Sequence, residues 1–207
     1  AGGIRKPTKT DNWKENLLNL MLSTYLGSGG SKGFVSTSLS YVDSIPNYNS
    51  IYLRKIVVKE RYSDELAIGE DFEFNIRLNK LGYKLAFSPD AIIYHHQESS
   101  FKSFFKQIYK YGSAQVKVYR KIKKIRSFAI ISPIFIFFLL IVGILSLFNG
   151  VILKIFLATL ALYCLVDIYY TIRITFNIKK VYGLLSFIIF PLQHISYGLG
   201  VLRESLK

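Results

Sequence analysis

Two adjacent acids, Glu70 and Asp71, and two adjacent histidines, His95 and His96, are the residues of this chain whose types and spacing could do chemistry. A carboxylate pair can take a proton from a hydroxyl, and a histidine pair can move a proton, contact a phosphate or ligate a metal. The segment between them, residues 68–96, predicts how they are held. Phe72, Ile76 and Leu78 to Leu81 mark the apolar face of a helix over 71–81, with Gly82 as its stop. Glu70 and Asp71 then stand at the helix start, where the macrodipole favours negative charge. "YKLAF" reads as a strand, Ser88, Pro89 and Asp90 as a turn, and "AIIYHH" as a second strand. From these residues alone, two readings stay open. Either the acids cap a helix and the histidines end a strand, or the four form the rim of a catalytic site.

Upstream, Asn12 with Glu15 resembles a capping box. Trp13, Leu17, Leu20, Met21 and Tyr25 follow as an apolar face, and Gly27 is a natural stop. "GSGGSKGF", residues 27–34, fits neither a P-loop nor a dinucleotide fingerprint and reads as a flexible, substrate-side loop. Three histidines and one cysteine give no zinc spacing, and a lone Cys164 cannot form an intrachain disulfide.

Composition places the chain at a membrane. It carries a formal charge of +14 while 51% of its 207 residues are hydrophobic, and the apolar residues concentrate after position 128. Residues 128–148 hold no charge and are the foremost candidate for a bilayer-spanning helix. Residues 151–172 make a second span after a turn of two residues, with Lys154 and Asp167 expected to snorkel toward head groups. Residues 181–202 form either a third span or an interfacial helix. Most nearby positive charge, "KVYRKIKKIR" at 117–126 and Arg173, Lys179 and Lys180, flanks one side of this hairpin, which assigns that side to the cytoplasm. Between Lys102 and Arg126 stand nine basic residues and no acid, with Phe101, Phe104, Phe105, Ile108 and Tyr109 at helical spacing. This pattern predicts a basic amphipathic helix on an anionic leaflet, its place beside a span favouring lipid over nucleic acid. Few polar residues in the spans argue against a channel.

The order of these features resembles the family 2 glycosyltransferases of the GT-A fold. Their C-terminal half has an "ED" opening a helix, here Glu70-Asp71, then a run like Arg77 to Leu85. A "P-D-A-x-x-Y-H" strand follows, here Pro89 to His95, and then a basic-aromatic helix, here "SFFKQIYKYG" at 103–112. "AGGIRKP" is similar to the strand and loop that follow the metal-binding strand of these enzymes. The resemblance covers residues 1 to about 126. It implies an α/β fold, a partial GT-A-like catalytic domain over 1–100, then the interfacial helix at 101–127 and two to three membrane helices over 128–207. It also implies inverting transfer from a nucleotide-sugar donor to a lipid-linked or glycan acceptor. Asp71 would be the general base, Glu70 its neighbour on the acceptor side, and His95 or His96 a group near the metal-bound diphosphate. Gln107, Lys110 and Tyr111 match the Q-x-x-R-W motif of processive members, with lysine replacing the bidentate arginine and tyrosine the tryptophan. The implied Mg2+ or Mn2+ is held in such enzymes by D-x-D, which this sequence lacks, so the chain reads as the C-terminal part of a longer enzyme. The competing expectation is a non-catalytic membrane protein whose soluble module binds lipid or a partner.

Overall fold

The computed structural model describes all residues except 36, 37, 125, 127 and 128. Strand β1 (Gly2–Pro7) pairs in parallel with the long strand β3 (Leu85–His95), and the short strand β2 (Ser40–Val42) pairs antiparallel with its other edge. The result is a three-stranded mixed sheet ordered β1-β3-β2. Residues 85–95 do not form two strands joined by a turn. The register passes from Gly3 opposite Ser88 directly to Ile4 opposite Ile92, so Pro89, Asp90 and Ala91 bulge out of one continuous strand. Proline lacks the N–H that a ladder needs, and Gly3 makes room for the bulge. A Cβ on Gly3 would collide with the carbonyl oxygen and Cβ of Ala91.

Helix α1 (Trp13–Leu22) starts as expected, with the Asn12 side chain accepting from the amides of Lys14 and Glu15. Glu15 does not return the bond, however, and α1 stops at Ser23 rather than Gly27. The glycine-rich stretch folds into two single turns, α2 (Tyr25–Ser28) and α3 (Lys32–Val35), separated by Gly29 and Gly30 with φ of 61° and 75°. After α4 (Arg54–Glu60), α5 (Glu70–Lys80) begins behind Gly69, whose φ is 84°. Its two faces are both covered. Phe74 and Leu78 pack with Ile45, Ile56 and Leu85, whereas Phe72 and Ile76 pack with Leu66 and Val118. Burial on two sides sets the direction of the helix start that carries Glu70 and Asp71.

Helix α6 (Phe101–Ile122) is amphipathic, but its apolar stripe is covered by protein rather than laid on a leaflet. Phe104 and Ile108 join Leu17, Leu18, Met21 and Leu22 of α1 in one core with Ile174, Ile189 and Phe190 of the membrane region. The core therefore crosses the expected boundaries at 100 and 127. The basic side of α6, with Lys102, Lys106, Lys110 and Lys117, stays exposed.

The membrane region departs most from expectation. Position 128, where the foremost candidate span was to begin, lies outside the described residues. The described part is α7 (Ile131–Phe137), a π-helical turn (Phe138–Val142) and α8 (Gly143–Ser146), a shorter apolar stretch than the two helices able to cross a bilayer. Those two are α9 (Gly150–Ile178) and the segment Val181–Ser205, a 3-10 turn continuing into α10 (Ser186–Ser205). Among the described residues the uncharged run therefore shows a helix only over Ile131–Ser146, while the run that contains Pro191 is long enough by length and composition. Asp167, expected to snorkel outward, is instead 1% exposed and accepts from the Thr171 hydroxyl at 3.1 Å.

Helix α10 packs lengthwise on α6, at closest approach through two glycines. A Cβ on Gly112 would collide with the Tyr197 carbonyl, and one on Gly200 with that of Tyr109. Ser113 donates to the Gly200 carbonyl at 3.1 Å, and Arg120 to that of Glu204 at 2.8 Å.

Candidate active site

A cavity of about 1710 Å³ lies between the sheet, α5, α6 and the membrane helices. Glu70, Asp71, His95, His96, Gln107 and Tyr111 all line it. Residues far apart in sequence therefore border one cavity. Lys110 is the exception: it lies on the exposed face of α6 and does not line the cavity, because the stripe buried on α10 turns that position outward.

Asp71 owes its place to the helix start. Gly69 supplies the left-handed residue before α5, and Glu70 and Asp71 occupy the first turn, at the positive end of the helix. One carboxylate oxygen of Asp71 accepts from the Phe72 amide at 2.6 Å and the other from the Asn47 amide at 3.3 Å. Lone pairs remain for a ligand hydroxyl, since a carboxylate has about four acceptor sites. A half-buried carboxylate that borders a cavity is of the chemical type that can accept a proton from a hydroxyl.

The histidines are set by a network that the sequence did not announce. Arg5, only 8% exposed, shares Nη2 among Asn19 Oδ1 at 3.3 Å, the His95 and His96 carbonyls at 3.3 and 3.0 Å, and Gln97 Oε1 at 3.0 Å. Buried Glu15 accepts from the Gln97 amide at 3.0 Å and pairs with His96 Nδ1 at 2.8 Å. His95 Nδ1 bonds to the His96 carbonyl, and its ring lies 5.3 Å from that of Tyr48. His95 thus ends β3, His96 follows it directly, and both line the cavity. Burial pushes the Tyr48 hydroxyl up to about 12, with Arg5 pulling against it, and raises Tyr111 in the same way. Both phenols stay O–H donors at neutral pH.

The apolar C-terminal helices also line the cavity: Ile131, Ser132 and Phe135 from α7, Tyr163 from α9, and Gln193, His194 and Tyr197 from α10. Gln193 donates to the Gly27 carbonyl, and His194 Nε2 bonds to that of Leu26 at 3.1 Å. A carbonyl only accepts, so Nε2 carries the proton and Nδ1 accepts from the Tyr163 hydroxyl at 3.0 Å. These bonds fasten the glycine-rich turns to α10. Gln193 and His194 stood out only as polar residues in an apolar run, a signal that commonly marks function inside a membrane. Arg5 left none, because Lys6 stands beside it in β1 and only the fold buries the one and exposes the other.

Among the described residues, no three His, Cys, Asp or Glu side chains converge to hold a metal. Among the described residues no such set is present for the Mg2+ or Mn2+ that the resemblance implies.

A relative in Methanococcus voltae, dolichyl N-acetyl-alpha-D-glucosaminyl phosphate 3-beta-D-2,3-diacetamido-2,3-dideoxy-beta-D-glucuronosyltransferase, is 30% identical over 128 residues. The match covers 58% of this chain and 37% of that protein, so the chain spans well under two thirds of the relative's length. No solved structure matches the chain significantly. The family model for glycosyl transferase family group 2 matches residues 29–191, a stretch that takes in Glu70, Asp71, both histidines and α9, and the chain belongs to that family.

Proposed function

We propose that this chain supplies the acceptor side of a membrane-anchored inverting glycosyltransferase, which moves a sugar from a nucleotide-sugar donor to a lipid-linked or glycan hydroxyl. The observation that carries the reading is the opening of Asp71, at the start of α5, into a cavity whose other wall is membrane helix. As the acceptor oxygen attacks the anomeric carbon, its proton passes to the Asp71 carboxylate and the nucleoside diphosphate leaves with the bonding electrons. Glu70 orients the acceptor, while Gln107, Tyr111 and the His95-His96 rim contact sugar or phosphate. The relative's name, which specifies a dolichyl-linked acceptor, supports a glycolipid over a soluble sugar. Residues 1–100 act as the C-terminal part of a GT-A-like domain, placed at the cytoplasmic face by the positive charge flanking the helices. The exposed lysines of α6 meet anionic head groups there.

The test is sugar transfer by the protein carrying Asp71→Asn. Loss of a general base lowers turnover by ~10²–10⁴-fold, with acceptor binding retained. Turnover equal to wild type would remove Asp71 from the role.

A further inference from the structure

We propose that Arg126 is a phosphate clamp for a membrane-borne acceptor, holding its anionic head beside Asp71 while an apolar tail runs between α7, α9 and α10. The inference rests on the glycosyl-transfer reading above and names the ligand class and the residue that would recognise it.

Arg126 stands at the joint between α6 and the membrane helices and lines the cavity. Its guanidinium lies 4.5 Å from the centre of the Phe72 ring, the residue next to Asp71, and this contact steadies the cation. Among the described residues no carboxylate lies within 4.0 Å of Arg126, nor of buried Arg5 on the same wall, although other cations of the chain pair at that range. A half-buried guanidinium without a counter-ion is stabilised by an anionic ligand, and its planar fork suits phosphate. Carboxylates also line the cavity, but Glu15 is taken by His96 and Asp43 by Lys124. Glu70, Asp71 and Glu98 remain, so the acceptor must turn its hydroxyl toward Asp71 and its phosphate toward Arg126.

The source of the phosphate follows from what continues the chamber. From Arg126 the wall passes to Ile131 and Phe135 of α7, Tyr163 of α9 and Tyr197 of α10. A soluble donor diphosphate makes no use of that aromatic wall, whereas a polyprenyl-type lipid phosphate fills both ends.

Binding to the full chain in lipid nanodiscs tests this without any transfer reaction. Polyprenyl phosphate, the matching neutral polyprenol, inorganic phosphate and UDP are each titrated against wild type, Arg126→Gln and Arg126→Lys. Wild type is expected to bind the lipid phosphate at least about tenfold more tightly than the polyprenol, the scale of one charge-assisted hydrogen bond. Arg126→Gln abolishes that preference and Arg126→Lys keeps part of it. Should the glutamine variant misfold, the wild-type preference and its reduction in the lysine variant carry the test. Equal binding of lipid phosphate and polyprenol, or a preference that survives Arg126→Gln, would overturn the clamp. So would Arg126-dependent binding of inorganic phosphate or UDP that polyprenyl phosphate does not displace, since the anion would then be soluble. An Arg126-dependent preference in a protein that transfers no sugar supports the clamp and defeats only the transfer reading.

Discussion

Asp71 stands in the first turn of α5 and also lines the cavity. The helix start that favours its negative charge also aims it into the cavity, so the two readings of the acids do not compete. His95 and His96 resolve differently: their backbone carbonyls are anchored by Arg5 and one ring is tied to Glu15, so the rim is built from the inside. Arg5→Met is expected to destabilise the protein by about 2–4 kcal/mol, because four acceptors lose their donor in a buried place. A fall in the thermal midpoint of the detergent-solubilised chain would register this, and an unchanged midpoint would contradict the network. The buried phenols bring a pH dependence. Tyr48 holds its proton up to about 12 in the fold but releases it near 10.0 when unfolded. The unfolded chain therefore loses protons first, and stability that is fully present below pH 10.0 declines as pH rises toward about 12. Chemical denaturation at a series of alkaline pH values measures that decline, and Tyr48→Phe should flatten it.

The elements were foreseen unevenly, for a physical reason. Helix α5 and the Asn12 N-cap follow from local rules of periodicity and capping, and α5 agrees with expectation to within a residue, whereas the Glu15 half of the capping box does not form and α1 ends before Gly27. The bulged strand β3 does not, because Ser88-Pro89-Asp90 makes a good turn locally and only pairing with β1 across Gly3 keeps the strand continuous. The stripe on α6 is another local signal with two meanings, since Phe104 and Ile108 would suit lipid as well as a protein core. Its partner α10 decides, and the decision depends on two glycines. Gly200→Val should push the helices apart at the Tyr109 carbonyl and cost about 1–3 kcal/mol. Faster hydrogen exchange in α6 and α10 than in α5 would report it, whereas uniform protection would not fit. Gln193→Leu should release the glycine-rich turns instead, raising exchange at residues 26–31 with little change in the thermal midpoint.

For the whole molecule, the soluble and membrane parts share one core and one cavity. Removing α9 and α10 would uncover Leu17, Leu18, Met21, Phe104 and Ile108, so a chain truncated after position 148 is expected to aggregate rather than give a soluble domain. Size-exclusion chromatography of the truncated chain decides between these outcomes. The membrane placement of α9 has its own probe in the free Cys164, which should react with a membrane-permeant maleimide and resist an impermeant one in intact vesicles. The sequence by itself determined the local facts: a helix opened by two acids, a strand ending in two histidines, a basic amphipathic helix and a strongly apolar C-terminal half. These depend on side-chain period, capping chemistry and hydropathy, all of which act over a few residues. Only the tertiary structure decided that Arg5 fastens the two histidine carbonyls, that among the described residues α9 and the segment 181–205 are long and apolar enough to cross a membrane, and that Asp71 and Tyr163 line one chamber. Those outcomes depend on contacts between residues up to 168 positions apart, as between Leu26 and His194, which no local period encodes.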